Sequence, residues 1–192
     1  MKPLLTKLLI VSILLVSYNI YAQETYQSSI GGFSFDLGKY EIIKNDSTKS
    51  KMLEKAKGTG VKIKIENVLK LKEKKAAVPM ITIQILSDTY EFEYYVQNLE
   101  EETSAINDVS KRYSKNNFPD LKANDCYYDS TRKMIFRTIT SKVNNVSVKA
   151  MSVIIGMSKQ PFQIIFVDQA DSYDADIDDF LEIINSLKFD EQ

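Results

Sequence analysis

Apolar and polar residues alternate along this chain with two different periods, and the switch between them divides it into strands and helices. In "VKIKIENVLKLK" (61–72), Val61, Ile63, Ile65, Leu69 and Leu71 share one parity, while Lys62, Lys64, Lys70 and Lys72 share the other. Successive side chains of a strand point to opposite faces, so this predicts a strand with one buried and one solvated face. "EKKAA" follows as a hairpin connection. Ile81, Ile83 and Ile85 then repeat the alternation within Val78 to Leu86, a second strand expected to pair antiparallel with the first. Upstream, "GGFSFDLGKYEIIK" predicts two short strands around Gly38. Downstream, "CYYDS", "KMIFRTIT", "VSVKAMSVIIGM" and "FQIIFVDQ", with Asn144-Asn145 and "SKQP" as turns, predict an antiparallel meander.

Three segments follow the helical period instead. "STKSKMLEKAKGTG" (47–60) reads as a short helix closed by Gly58. In "SDTYEFEYYVQNLEEETSAINDVSKRY", Phe92, Tyr95, Val96, Leu99, Ile106 and Val109 fall on one helical face, with Asp88 and Glu91 spaced as a capping box. "NNFPD" ends that helix. The adjacent Tyr94 and Tyr95 resemble a ligand platform, but an amphipathic helix lying on a sheet accounts for them at this spacing. Finally, Ile177, Phe180, Leu181, Ile184 and Leu187 line one face of a C-terminal helix over "IDDFLEIINSLKF".

Five aspartates in "DSYDADIDDF" (171–180) precede that face. Carboxylates at the approach and first turn cap free N–H groups and meet the positive end of the helix dipole, with Lys188 at the other end. A calcium loop started at Asp174 puts Asp176 and Asp178 at its third and fifth positions. It then requires glycine where Asp179 stands and glutamate where Asn185 stands. A loop started at Asp171 ends on Glu182 but has Tyr173 and Ala175 at ligand positions. No specific metal site is expected, and no cofactor.

The N-terminus reads as a secretory signal. Lys2 and Lys7 precede an apolar run from Leu8 to Val16, and Ala22 offers a cleavage point before Gln23. The run breaks at Ser17 to Asn19, short of the roughly 20 residues that span a bilayer. Residues 1–22 are thus expected to be removed, leaving 23–192 as one domain in the periplasm or the medium. Cys126 is the sole cysteine, so no internal disulfide can form. Acids on both sides of it in "NDCYYDS" disfavour a thiolate, which points to an inert strand residue.

The chain contains no histidine, which removes the Ser-His and Cys-His machineries and imidazole metal ligation. No G-x-x-x-x-G-K phosphate loop occurs. A near-neutral balance of 25 basic and 26 acidic residues gives no nucleic-acid signature. Charge is uneven, however: residues 44–75 hold eleven lysines and four acids, and 168–192 hold nine acids and one lysine. A lysine face led by Lys62, Lys64, Lys70 and Lys72 is the candidate partner-binding surface, weighed against a solvated strand face whose lysines discourage edge aggregation.

The order "GFSFDLGKYEII", sheet, "EFEYYVQNL", meander and "FQIIFVDQADSYDADIDDFLEIINSLKF" resembles the PsbP-like group over most of residues 30–189. The resemblance implies an α+β fold, an antiparallel sheet with helices on its faces in an α/β/α sandwich, used mostly as a non-catalytic binding or assembly module. It implies no shared partner and no site residues. The function read from the chain is an exported, non-enzymatic module that binds an envelope or secreted protein, an immunity-type protein being one form of this. The alternative is a small-ligand protein or hydrolase with a carboxylate and tyrosine cleft.

Overall fold

A computed structural model describes residues 24–44, 50, 64–73, 78–86, 91–101, 103–104, 122–143, 145–156 and 161–190. The expected signal segment, the helix over 47–60 apart from Ser50, Asp88, Ile106, Val109 and "NNFPD" lie outside the described residues, as does Lys62.

Alternating apolar residues have one way to bury a whole face, which is to lie side by side in a sheet. Seven strands do so here, all antiparallel, in the spatial order β3-β4-β5-β9-β8-β7-β6. They are β3 (Tyr40–Ile42), β4 (Lys64–Leu71), β5 (Met80–Ile85), β6 (Lys122–Asp129), β7 (Met134–Val143), β8 (Val146–Ile155) and β9 (Phe162–Gln169). The expected meander is β6 to β9, and β4 pairs with β5 as expected. The chain leaves β5, crosses to the far edge at β6 and returns strand by strand until β9 lies beside β5. There Ile81 faces Phe166, Ile83 faces Ile164 and Ile85 faces Phe162 across the ladder.

Both faces of the sheet are covered. On the front face the helix α2 (Tyr173–Asn185) inserts Tyr173, Phe180, Ile183 and Ile184 into the main core. Beside it lies a small antiparallel sheet of β1 (Thr25–Gln27), β2 (Phe33–Asp36) and β10 (Lys188–Phe189), in the order β1-β2-β10, which adds Tyr26, Phe33 and Phe35. On the back face the helix α1 (Phe92–Gln97) sets Phe92 and Tyr95 against Ile135 and Ile154. This is the expected α+β architecture with helices on both faces, extended by the small sheet.

Four local expectations are corrected. The strands flanking Gly38 do not pair: β2 joins the small sheet and β3 the large one, because Gly38, with φ of +53°, turns the chain from one to the other. The even alternation of β4 is interrupted at Glu66, where the register against β5 shifts by one residue and forms a β-bulge. The helix α2 starts at Tyr173 and encloses the aspartates expected on its approach. Lys188 does not close the helix either. It pairs with Ser34 as part of β10, while Ser186 caps the helix, its Oγ donating to the Ile183 carbonyl (2.9 Å) and accepting from the Asp36 N–H (3.0 Å). A helix end hydrogen-bonded to a strand leaves no room for a further turn.

Candidate functional site

The four lysines singled out in the sequence do not form one free stripe. Because of the bulge, Lys64 is placed opposite Ile85, on the front face of the sheet, whereas Lys70 lies opposite Met80, on the back. Lys70 is bound to Glu41 at 3.0 Å and Lys72 to Glu24 at 2.9 Å. Glu66, the bulged residue, accepts from the Ser28 and Ser29 hydroxyls and from the Ser29 N–H (2.7 Å), which moors the turn after β1 to β4.

The aspartate run is spread around α2. Among the described residues no three acidic or thiol groups converge as metal ligands. Nor does a side chain cap the helix N-terminus, so Asp174 and Asp176 act there through the dipole alone. Two of the acids tie the helix to the rest of the fold. Asp174 meets Lys149 of β8 at 3.0 Å, and Lys149 lies 4.3 Å above the Tyr173 ring. Asp179 accepts from Lys39 Nζ at 2.9 and 3.1 Å, and this pairing raises the Lys39 pKa. The spacing that placed acids before an apolar helical face was legible in the sequence; their partners, 25 and 140 positions away, were not.

Between the first turns of α2, the β2–β3 corner and the end of β4 is a cleft of about 350 Å³ lined by Lys39, Leu71, Lys72, Glu73, Asp176 and Asp179. Two groups stand close to this wall. Asp168, 1 % exposed, accepts from the Gln169 N–H and the Ser172 hydroxyl, both at 2.7 Å. Burial raises its pKa, the two donors lower it, and a hydrogen bond shared with Asp176 raises it again. Tyr40 is completely buried beside Leu71, its cross-strand neighbour, and its hydroxyl makes no hydrogen bond. Burial holds that hydroxyl well above the ordinary phenol range, with Asp179, Asp176 and Asp168 adding to the effect. Sequence reasoning missed both residues, since neither a strand tyrosine nor an acid after "FQIIFV" carries a local signal.

The other exposed feature is the far edge of the sheet. Along β6, Tyr127 is 54 % and Tyr128 38 % exposed, on opposite faces of the strand. Tyr127 stacks on Phe136 at 4.8 Å and Tyr128 lies against Phe92 at 6.0 Å, so both rings are held in place. Cys126, between the two faces' aromatic contacts, is a free, half-buried thiol packed toward α1. Tyr94 is exposed, but Tyr95 is buried edge-on to it at 5.7 Å, so the two do not present a joint platform.

Among the described residues no helix is long and apolar enough to cross a membrane. No protein-family model matches the chain. No curated protein is similar to it in sequence. Solved structures do share its fold. One is the solution structure of cyanobacterial PsbP (CyanoP) from Synechocystis sp. PCC 6803, at 10 % identity and a TM-score of 0.51, covering 89 % of this chain and 95 % of that one.

Proposed function

Starting from a PsbP-like fold, we propose that this chain is an exported, non-enzymatic interaction module that binds an extended segment of an envelope or secreted protein along β6. The observation that carries the reading is the long outer edge of β6, an end strand of the sheet, flanked by an ordered, exposed tyrosine on either face. An end strand offers a row of backbone donors and acceptors to an incoming strand, and side chains on both faces select what is added. Tyrosine suits such a place, because it supplies a large contact area with little rotamer entropy to lose and a hydroxyl for the rim. The opposite edge, β3, has three residues and offers far less backbone.

Export rests on the N-terminal pattern, and the absence of histidine together with the mutual pairing of Lys70 and Lys72 with acids favours binding over catalysis. The lysine face has a secondary place in this reading, as a source of salt sensitivity through Lys64 and its neighbours. An immunity-type protein is its narrowest form.

The test is affinity capture from the envelope and secreted fractions of the source, with the wild type beside a Tyr127→Lys/Tyr128→Lys double variant and a Lys64→Glu/Lys70→Glu double variant. The expected result is a stoichiometric partner lost by the tyrosine variant at unchanged circular dichroism. A partner retained by that variant and lost by the lysine variant would move the interface to β4.

A further inference from the structure

At the opposite edge of the sheet, the cleft between α2 and the β3–β4 ladder has the chemistry of a small-molecule site. Its lining carries three carboxylates (Glu73, Asp176, Asp179) against two ammonium groups (Lys39, Lys72), and Lys72 is already neutralised by Glu24 from outside the lining. Asp168 adds a further acid beneath Asp176. The wall thus has an excess of negative charge and fits a cation.

The kind of cation follows from what is already there. No three ligands converge as a metal would require among the described residues. Asp179 instead holds an ammonium group, that of Lys39, with both carboxylate oxygens within 3.1 Å. The Lys39 side chain is 72 % exposed, so it gives up this position at little cost in packing. Leu71 supplies an apolar floor for a short alkyl chain. The independent observation is Tyr40: its hydroxyl is buried and without a hydrogen-bond partner, beside Leu71 and near the same two aspartates. A buried donor left unpaired is costly, and an oxygen acceptor delivered through the cleft would satisfy it.

We propose that this cleft binds a small primary amine bearing a neutral oxygen acceptor, an amino alcohol by class, with its ammonium group between Asp176 and Asp179 in place of Lys39 and its oxygen accepting from Tyr40. The site is separate from the β6 edge and does not depend on strand addition there.

The experiment is a titration of the purified protein with 3-amino-1-propanol, read by calorimetry and by amide chemical shifts. Propylamine, which lacks the acceptor, 1,3-propanediol, which lacks the charge, and calcium serve as comparison ligands. The proposal expects saturable binding of the amino alcohol, loss of about tenfold or more in Asp176→Asn, and no change in Asp178→Asn, an exposed acid on the same helix. Tyr40→Phe should weaken the amino alcohol about five- to tenfold while leaving propylamine unchanged, a split that a merely loosened core would not produce. Absence of saturable binding, equal loss in Asp178→Asn, tighter binding of calcium, or equal weakening of both amines in Tyr40→Phe would overturn it.

Discussion

Asp168 shows how one residue's surroundings set its chemistry. Its carboxyl is buried and hydrogen-bonded to the Gln169 N–H and Ser172 hydroxyl, yet it shares a hydrogen bond with a second acid, Asp176. Desolvation is the largest influence, and the pKa rises. A carboxyl whose folded pKa lies above its unfolded value binds more protons when folded, so its contribution to stability falls as pH rises through that window. The window opens near 3.8, the ordinary aspartate value, and extends upward to the raised one. Asp168→Asn is therefore expected to remove a decline in stability between acid and neutral pH, measured by urea unfolding across a pH series. A wild-type profile no steeper than the variant's would show that Asp168 is charged at no cost. Tyr173 is a milder case, raised to about 12 by burial and then by Asp174.

At the scale of elements, helices and strands are placed by close approaches that their own sequences do not announce. The helix α1 packs onto the end of β8 because Gly156 follows that strand: a methyl group there would overlap the Phe92 ring. Gly156→Ala should accordingly cost about 1–3 kcal/mol, the usual penalty for overpacking, and should perturb Tyr128, which rests on Phe92. Thermal unfolding together with the near-ultraviolet signal of the tyrosines would check both. For α2, the helical period located the apolar face and named Phe180 and Ile184 as buried, but Tyr173 and Ile183 are buried as well. The helix begins a full turn earlier than Ile177 because Tyr173 packs against Phe166 at 5.6 Å, a contact with a strand that no local pattern contains.

In the whole molecule, one front-face core joins the seven-stranded sheet, α2 and the small sheet built from both ends of the described chain. Phe180 sits at that junction, fully buried and stacked on Phe166 at 5.3 Å. Truncating such a ring costs roughly 3–5 kcal/mol. Domains of this kind have a total stability of about 5–15 kcal/mol. Phe180→Ala is thus expected to lower the urea midpoint sharply and to loosen α2 and the small sheet together, as faster amide exchange in β1, β2 and β10 would reveal. Slow exchange persisting in those three strands would mean that the small sheet is held independently of α2. The two ends of the large sheet then differ in kind, β6 presenting an aromatic edge and β3 adjoining an acidic cleft.

The amino-acid sequence by itself determined the type of most of these elements, since the periods of 2 and 3.6 report local backbone geometry. It also determined which catalytic machineries are absent, because a chain without histidine cannot assemble them. Tertiary structure alone decided who lies beside whom. One extra residue at Glu66 reverses the face of Lys64 relative to the parity of Lys70, which breaks a lysine stripe that looked continuous in one dimension. The pairing of β5 with β9, the joining of β10 to β2 and the meeting of Lys39 with Asp179 link segments roughly 80 to 160 positions apart. Such contacts depend on register and on the packing of a whole face, and no window of neighbouring residues encodes them. The candidate sites lie at those junctions, and for that reason the chain's residue types were legible in advance and their convergence was not.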